Sequence, residues 1–132
     1  GGIPFPNKVS FISQNWKKYP ALIQDSTLVT KIIDIEKTIN GRAYYYIPKE
    51  KVLPFAGQIK TGDIILITTK KKGLDTAHVG IAIENEGQIY LLHASVSDKK
   101  VSITTETLPD YLQRITSHSG IMIGRLINFK SN

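Results

Sequence analysis

Residues 77–95 read AHVGIAIENEGQIYLLHAS, two apolar runs rich in strand-forming residues around the polar Glu84-Asn85-Glu86-Gly87. Such a pattern signals a β-hairpin. With Glu84 and Gly87 flanking a two-residue turn, or Ile83 and Gln88 flanking a four-residue loop, paired residue numbers add to 171. His78 then stands directly opposite His93, with Cβ atoms about 5 Å apart. His78, Gly80 and Ala82 share a face with His93, Leu91 and Ile89; Val79, Ile81, Tyr90 and Leu92 take the other. A three-residue loop would shift the register by one and send His93 across the sheet.

The flanking sequence extends this hairpin into a sheet. Asp63–Thr69 (DIILITT) is apolar on both faces, as a central strand is. Lys100–Thr104 is a short strand and Ile121–Ile127 (IMIGRLI) a closing one, while Thr107 caps a helix through Leu108, Tyr111, Leu112 and Ile115. Upstream, Leu28, Ile32, Ile35 and Ile39 form one apolar stripe of a helix over 27–40, started by Asp25 or Ser26 and ended by Asn40-Gly41. Tyr44–Pro48 reads as extended and Pro54–Gly57 as a loop. Residues 1–26 have no sustained period and read as an irregular arm held by Phe5, Phe11, Ile12 and Trp16. The fold class is α+β, an antiparallel sheet or half-barrel of about five strands behind an α-rich front. One domain spans 1–132, with its β-rich core over 60–127 and the late helix near 107–115.

Composition narrows the function. A chain of 132 residues with 41% hydrophobic and 21% charged content is ordinary for a folded domain. No apolar run reaches the roughly 18 residues of a membrane span. The absence of cysteine removes disulfides, thiolate metal sites and a cysteine nucleophile from these residues. Met122 is the single methionine, so the chain is expected to be processed or truncated, with Gly1-Gly2 as a remnant. Seventeen Lys/Arg against eleven Asp/Glu leave a net charge of +6. The excess lies before residue 76 and is densest at Lys70-Lys71-Lys72. It suits an anionic partner, but no nucleic-acid motif accompanies it. A small nucleic-acid-binding barrel is the remote reading.

A lone strand histidine is most often a packing residue, but a cross-strand pair beside Gly80 and Ala82 leaves room for another element to approach. A metal site needs a third ligand, for which Asp75 and His118 are the candidates. The polar Ser117-His118-Ser119-Gly120 reads instead as a surface turn. No cofactor is implied.

Lys60-Thr61-Gly62-Asp63-Ile64-Ile65, His78-Val79-Gly80-Ile81-Ala82-Ile83 and Leu91-Leu92-His93-Ala94-Ser95 resemble the core strands of NlpC-type, papain-like cell-wall cysteine peptidases. The ordered set is closer to their amidase-like branch, similar to N-acetylmuramoyl-L-alanine amidases. It includes Tyr46-Ile47-Pro48-Lys49, Thr68-Thr69, Gly73-Leu74-Asp75, Thr107-Leu108, Tyr111-Leu112 and Gly120-Ile121, and covers roughly residues 40–127.

The resemblance implies the C-terminal half of a papain-like fold and a cysteine mechanism. His78 is the general base and His93 its orienting partner; Asp75, Tyr46 and Ser95 are substrate-binding candidates. The substrate is peptidoglycan or a muropeptide, and the location periplasmic or extracellular. The family's cysteine lies on a helix upstream of the matched region, so these residues are the histidine-bearing half, inactive alone. The expected partners are the missing cysteine-bearing segment or a second copy. Without that segment, the His78/Gly80/Ala82 face is expected to be partly uncovered. The alternative is a noncatalytic cell-wall binding or interaction module.

Overall fold

The computed structural model describes residues 2–127. Seven antiparallel strands form one sheet in the order β1-β2-β7-β3-β4-β5-β6. They are β1 (Ile3–Phe5), β2 (Tyr44–Pro48), β3 (Ile64–Thr69), β4 (Thr76–Asn85), β5 (Gln88–Ser95), β6 (Lys100–Ile103) and β7 (His118–Gly124). The helices are α1 (Phe11–Gln14), α2 (Pro20–Gln24), α3 (Thr27–Asn40), α4 (Val52–Phe55) and α5 (Leu108–Arg114). The α+β class holds, with more strands than expected. The aromatic Tyr44–Tyr46 run pairs with β1 on one side, and Ile47 pairs with Ile121 of β7 on the other. This adds two strands at one edge.

The β4–β5 hairpin forms, but its register differs from the expected one. Asn85 pairs with Gln88 and Ile81 with Leu92, so the turn consists of Glu86 and Gly87 alone. Both have positive φ, 51° and 78°. That is the backbone of a primed two-residue turn, which matches the right-handed twist of the strands. The ladder is displaced by two residues. An even displacement keeps every side chain on its face but turns His78 and His93 from direct into diagonal neighbours. Carried onward, this register would set His93 against Gly80. A Cβ on Gly80 would lie 2.5 Å from Leu91 Cδ1 and 2.8 Å from the Leu92 carbonyl oxygen. Glycine there is what lets β5 lie this close to β4.

The face carrying Gly80 and Ala82 is covered, which corrects the expectation of an open one. Val52 of α4, Ile59, and Leu108 and Leu112 of α5 pack with Ile65, Ile67, Ala82, Leu91 and Ile121 into the core. Pro54–Gly57, expected as a loop, falls within α4 and the short 3₁₀ turn of residues 56–58 that follows it. Pro54 is tolerated because the first turn of a helix needs no backbone donor there. The reverse face is the open one: Ile64, Val79, Ile81 and Ile103 are 37%, 52%, 42% and 51% exposed.

In α3 the buried stripe passes through Glu36 rather than Ile35, which is exposed. The Glu36 carboxylate accepts from the Ser13 backbone N–H at 3.1 Å and from the Ser13 hydroxyl, tying the N-terminal residues to the helix. Asn40 reinforces this tie by accepting from Val9 N–H at 2.7 Å and donating to Val9 O at 2.9 Å.

At the end of the sheet remote from the histidines, Asp63 is buried. It accepts two bonds from Arg125, at 2.7 and 2.6 Å, and one from Lys60 N–H at 2.9 Å. Arg125 beside it holds the Asp63 carboxyl below the usual carboxylate range, against the opposing effect of burial.

Candidate functional site

His78 lies near the start of β4 and His93 near the end of β5, both half-buried where the core gives way to a cleft. The Nε2 of His78 is 2.7 Å from the Nδ1 of His93, with the rings 5.0 Å apart at 88°. One nitrogen donates and the other accepts, so each ring fixes the tautomer of its partner. Burial, and then the neighbouring His93, hold His78 below its ordinary pKa. It therefore favours the neutral form, which can accept a proton. Its Nδ1 makes no hydrogen bond among the described residues.

The cleft has a volume of about 780 Å³ and is lined by His78, His93, Ser95, Tyr111 and His118, among others. Tyr111 of α5 stands between two histidines, 5.7 Å from the His93 ring and 5.6 Å from that of His118. Burial pushes the Tyr111 hydroxyl above its ordinary pKa, keeping it protonated. Arg114 lies over the Tyr111 ring at 5.3 Å and is held by Glu106 through bonds as short as 2.5 Å.

His118 corrects the surface-turn expectation. It opens β7, pairs with Thr69 and is only 5% exposed. Threonines of β3 tie its polar neighbours down: Thr69 Oγ1 donates to the backbone carbonyl of Ser117, in the turn before β7, and Thr68 Oγ1 lies 2.8 Å from Ser119 Oγ within the sheet. The signal available beforehand was Thr68-Thr69, two hydroxyls ending a central strand.

The other expected residues separate into two groups. Ser95 lines the histidine cleft, but its hydroxyl is occupied by Ser97 Oγ at 3.0 Å and by Asp98 N–H at 3.1 Å. Asp75 and Tyr46 line a different, smaller cleft of about 290 Å³, edged by Lys71 and Lys72. Asp75 accepts from the Thr76 backbone N–H at 2.7 Å. Among the described residues no group of three His, Cys, Asp or Glu side chains is placed to hold a metal ion.

The family model described as N-acetylmuramoyl-L-alanine amidase-like matches residues 6–121. The chain belongs to this family. Among solved structures it is similar, at 36% identity and TM-score 0.84, to an N-acetylmuramoyl-L-alanine amidase from Bacteroides uniformis. A Bacteroides fragilis protein provisionally assigned as a xylanase matches at the same identity and TM-score. Each alignment covers 92% of this chain, and 52% and 53% respectively of the relative. The chain thus spans about half the length of these two relatives. A Legionella pneumophila protein at 24% identity and TM-score 0.51 shares the fold over 75% of this chain and 40% of its own. No curated protein matches the sequence.

Proposed function

We propose that this chain supplies the histidine half of a peptidoglycan amide hydrolase site whose nucleophile comes from outside these 132 residues. The observation carrying this reading is the 2.7 Å contact between His78 Nε2 and His93 Nδ1, which leaves His78 Nδ1 for a reacting group. The family assignment supports the substrate, and the net charge of +6 suits a polymer rich in carboxylates.

With no cysteine in the sequence, the thiol of this reading belongs to a segment outside these residues, for which the Bacteroides uniformis relative, 52% covered by this chain, leaves room. In the resulting papain-like arrangement, His78 Nδ1 takes the thiol proton as the thiolate attacks the amide carbonyl. The same nitrogen then returns that proton to the amine as the C–N bond breaks, leaving a thioester that water hydrolyses. His93 keeps His78 in the required tautomer and orientation throughout. The bond cut lies in the stem peptide or between muramic acid and its first alanine. Ser95 belongs to the wall of the substrate cleft, whereas Tyr46 and Asp75 line the separate, smaller cleft. The site of action is periplasmic or extracellular, where that polymer lies.

The lack of a nucleophile favours one other reading, a binding module that retains the cleft without the chemistry. Mixing the chain with the cysteine-bearing segment and following muropeptide hydrolysis separates the two. Recovered hydrolysis that falls about a thousandfold in His78→Ala supports the enzyme reading, since general acid–base catalysis is worth roughly 10²–10⁴. Recovered activity indifferent to His78→Ala removes His78 from the mechanism, and binding without hydrolysis favours the module.

A further inference from the structure

His118 is the third histidine of the cleft and has no part in the scheme above. The ring is almost wholly buried, and its Nδ1 is enclosed without a hydrogen-bond partner among the described residues. An enclosed N–H without a partner is rarer and costlier than an enclosed bare acceptor. The proton of the neutral ring therefore resides on Nε2. Because His118 lines the cleft and Nδ1 is closed off, Nε2 is the nitrogen left to face it. Burial, His78, Lys49 and Arg114, in that order, all disfavour a second proton. The ring is thus a neutral donor with one N–H and no acceptor from the described protein, and Tyr111 restricts its movement from one side.

We propose that His118 is a substrate-binding residue whose Nε2–H donates to an sp² oxygen of the bound muropeptide, a carbonyl or a carboxylate. This inference rests on the peptidoglycan reading of the same cleft. A bound oxygen acceptor would complete the donor side of an imidazole whose other nitrogen the fold has sealed. A neutral donor can serve either oxygen without the desolvation cost of a buried imidazolium. Its place across Tyr111 from His93 separates this contact from the His78–His93 pair.

The test uses the full chain labelled with ¹⁵N-histidine and follows the ring nitrogens by long-range ¹H–¹⁵N NMR. The probes are N-acetylmuramyl-L-alanyl-D-isoglutamine and its methyl ester. The free protein should show His118 protonated on Nε2, and that resonance should shift as the dipeptide is added. His118→Phe should weaken binding about tenfold, the equivalent of one ordinary hydrogen bond, and His118→Gln should restore part of the loss. Preference for the acid over the ester assigns the contact to the carboxylate; equal binding with the same shift assigns it to a carbonyl. Dipeptide binding that moves His78 or His93 but not His118 overturns this inference and leaves the hydrolase reading intact. Failure of both probes to bind overturns both readings. Should His118→Phe fail to fold, the resonance of the unaltered protein still decides.

Discussion

The two faces of the sheet have nearly the same apolar character and opposite environments. On one, Ile65, Ile67, Ala82, Leu91 and Ile121 are fully enclosed by α4 and α5. On the other, Ile64, Val79, Ile81 and Ile103 stay in contact with solvent. The difference is what makes the histidine site possible. Its rings sit where the covered face runs out, enclosed enough to lose hydration and still open to a cleft. A histidine two residues nearer the hairpin turn on either strand, at Gly80 or Leu91, would be buried away from the cleft. One on the reverse face would be solvated, with no partner ring at 2.7 Å.

The largest expected effect tests the contrast directly. Leu91→Ala should cost about 2–5 kcal/mol, because the removed atoms leave a cavity under α5. Ile81→Ala, on the opposite face of the neighbouring strand, should cost less than about 1 kcal/mol, since that side chain is 42% exposed. Urea unfolding of both variants gives the comparison. Equal losses would mean that the reverse face is covered in solution, and a concentration-dependent midpoint would identify a second copy as the cover.

A smaller effect distinguishes the two ends of the covered face. The end remote from the histidines is closed by Asp63, Arg125 and the Lys60 N–H. Asp63→Asn should destabilise by about 1–3 kcal/mol, a figure reduced because Arg125 remains about half exposed. The carboxyl has a depressed folded pKa, so its contribution is complete above the unfolded value near 3.8 and disappears as pH falls through the folded value. Acid titration of unfolding midpoints should show this loss in the parent and not in the variant.

The sequence carried the faces better than the pairings. Alternation assigned Gly80, Ala82, His78, Leu91 and His93 to one side because an even register error leaves parity untouched. The direct His78–His93 pairing failed because the turn is decided by backbone geometry at Glu86 and Gly87, and a glutamate with positive φ is not a common turn signal. His118 was missed for a different reason. Its neighbours are polar, and only the three-dimensional pairing of β7 with β3 brings up the threonine hydroxyls that meet the Ser117 carbonyl and the Ser119 hydroxyl. The covering helix α5 was visible from Thr107 and its apolar positions, and Thr107 Oγ1 does accept from Asp110 N–H. Nothing in those positions indicated which face of the sheet it would cover. Ile35 and Glu36 show the same limit on α3. Periodicity selected the isoleucine, whereas burial follows the hydrogen bonds that Ser13 offers to the glutamate.

The smallest expected effect lies at the open end. His78 and His118 both have folded pKa values below the ordinary 6.5, with burial as the leading cause in each. Protonation is then easier in the unfolded chain than in the folded one. Their contribution to stability is complete above about pH 6.5 and falls as pH drops through that value toward the lower folded pKa values. Unfolding midpoints should therefore decline modestly below pH 6.5, well before the Asp63 carboxyl begins to titrate. His78→Asn should flatten part of this decline, and His118→Gln another part. If both variants keep the parent's slope, protonation of these rings is not penalised by folding. The rim of the covered face would then be as well hydrated as the reverse face, and the burial that keeps His78 neutral would be lost as a basis for its role as a proton acceptor.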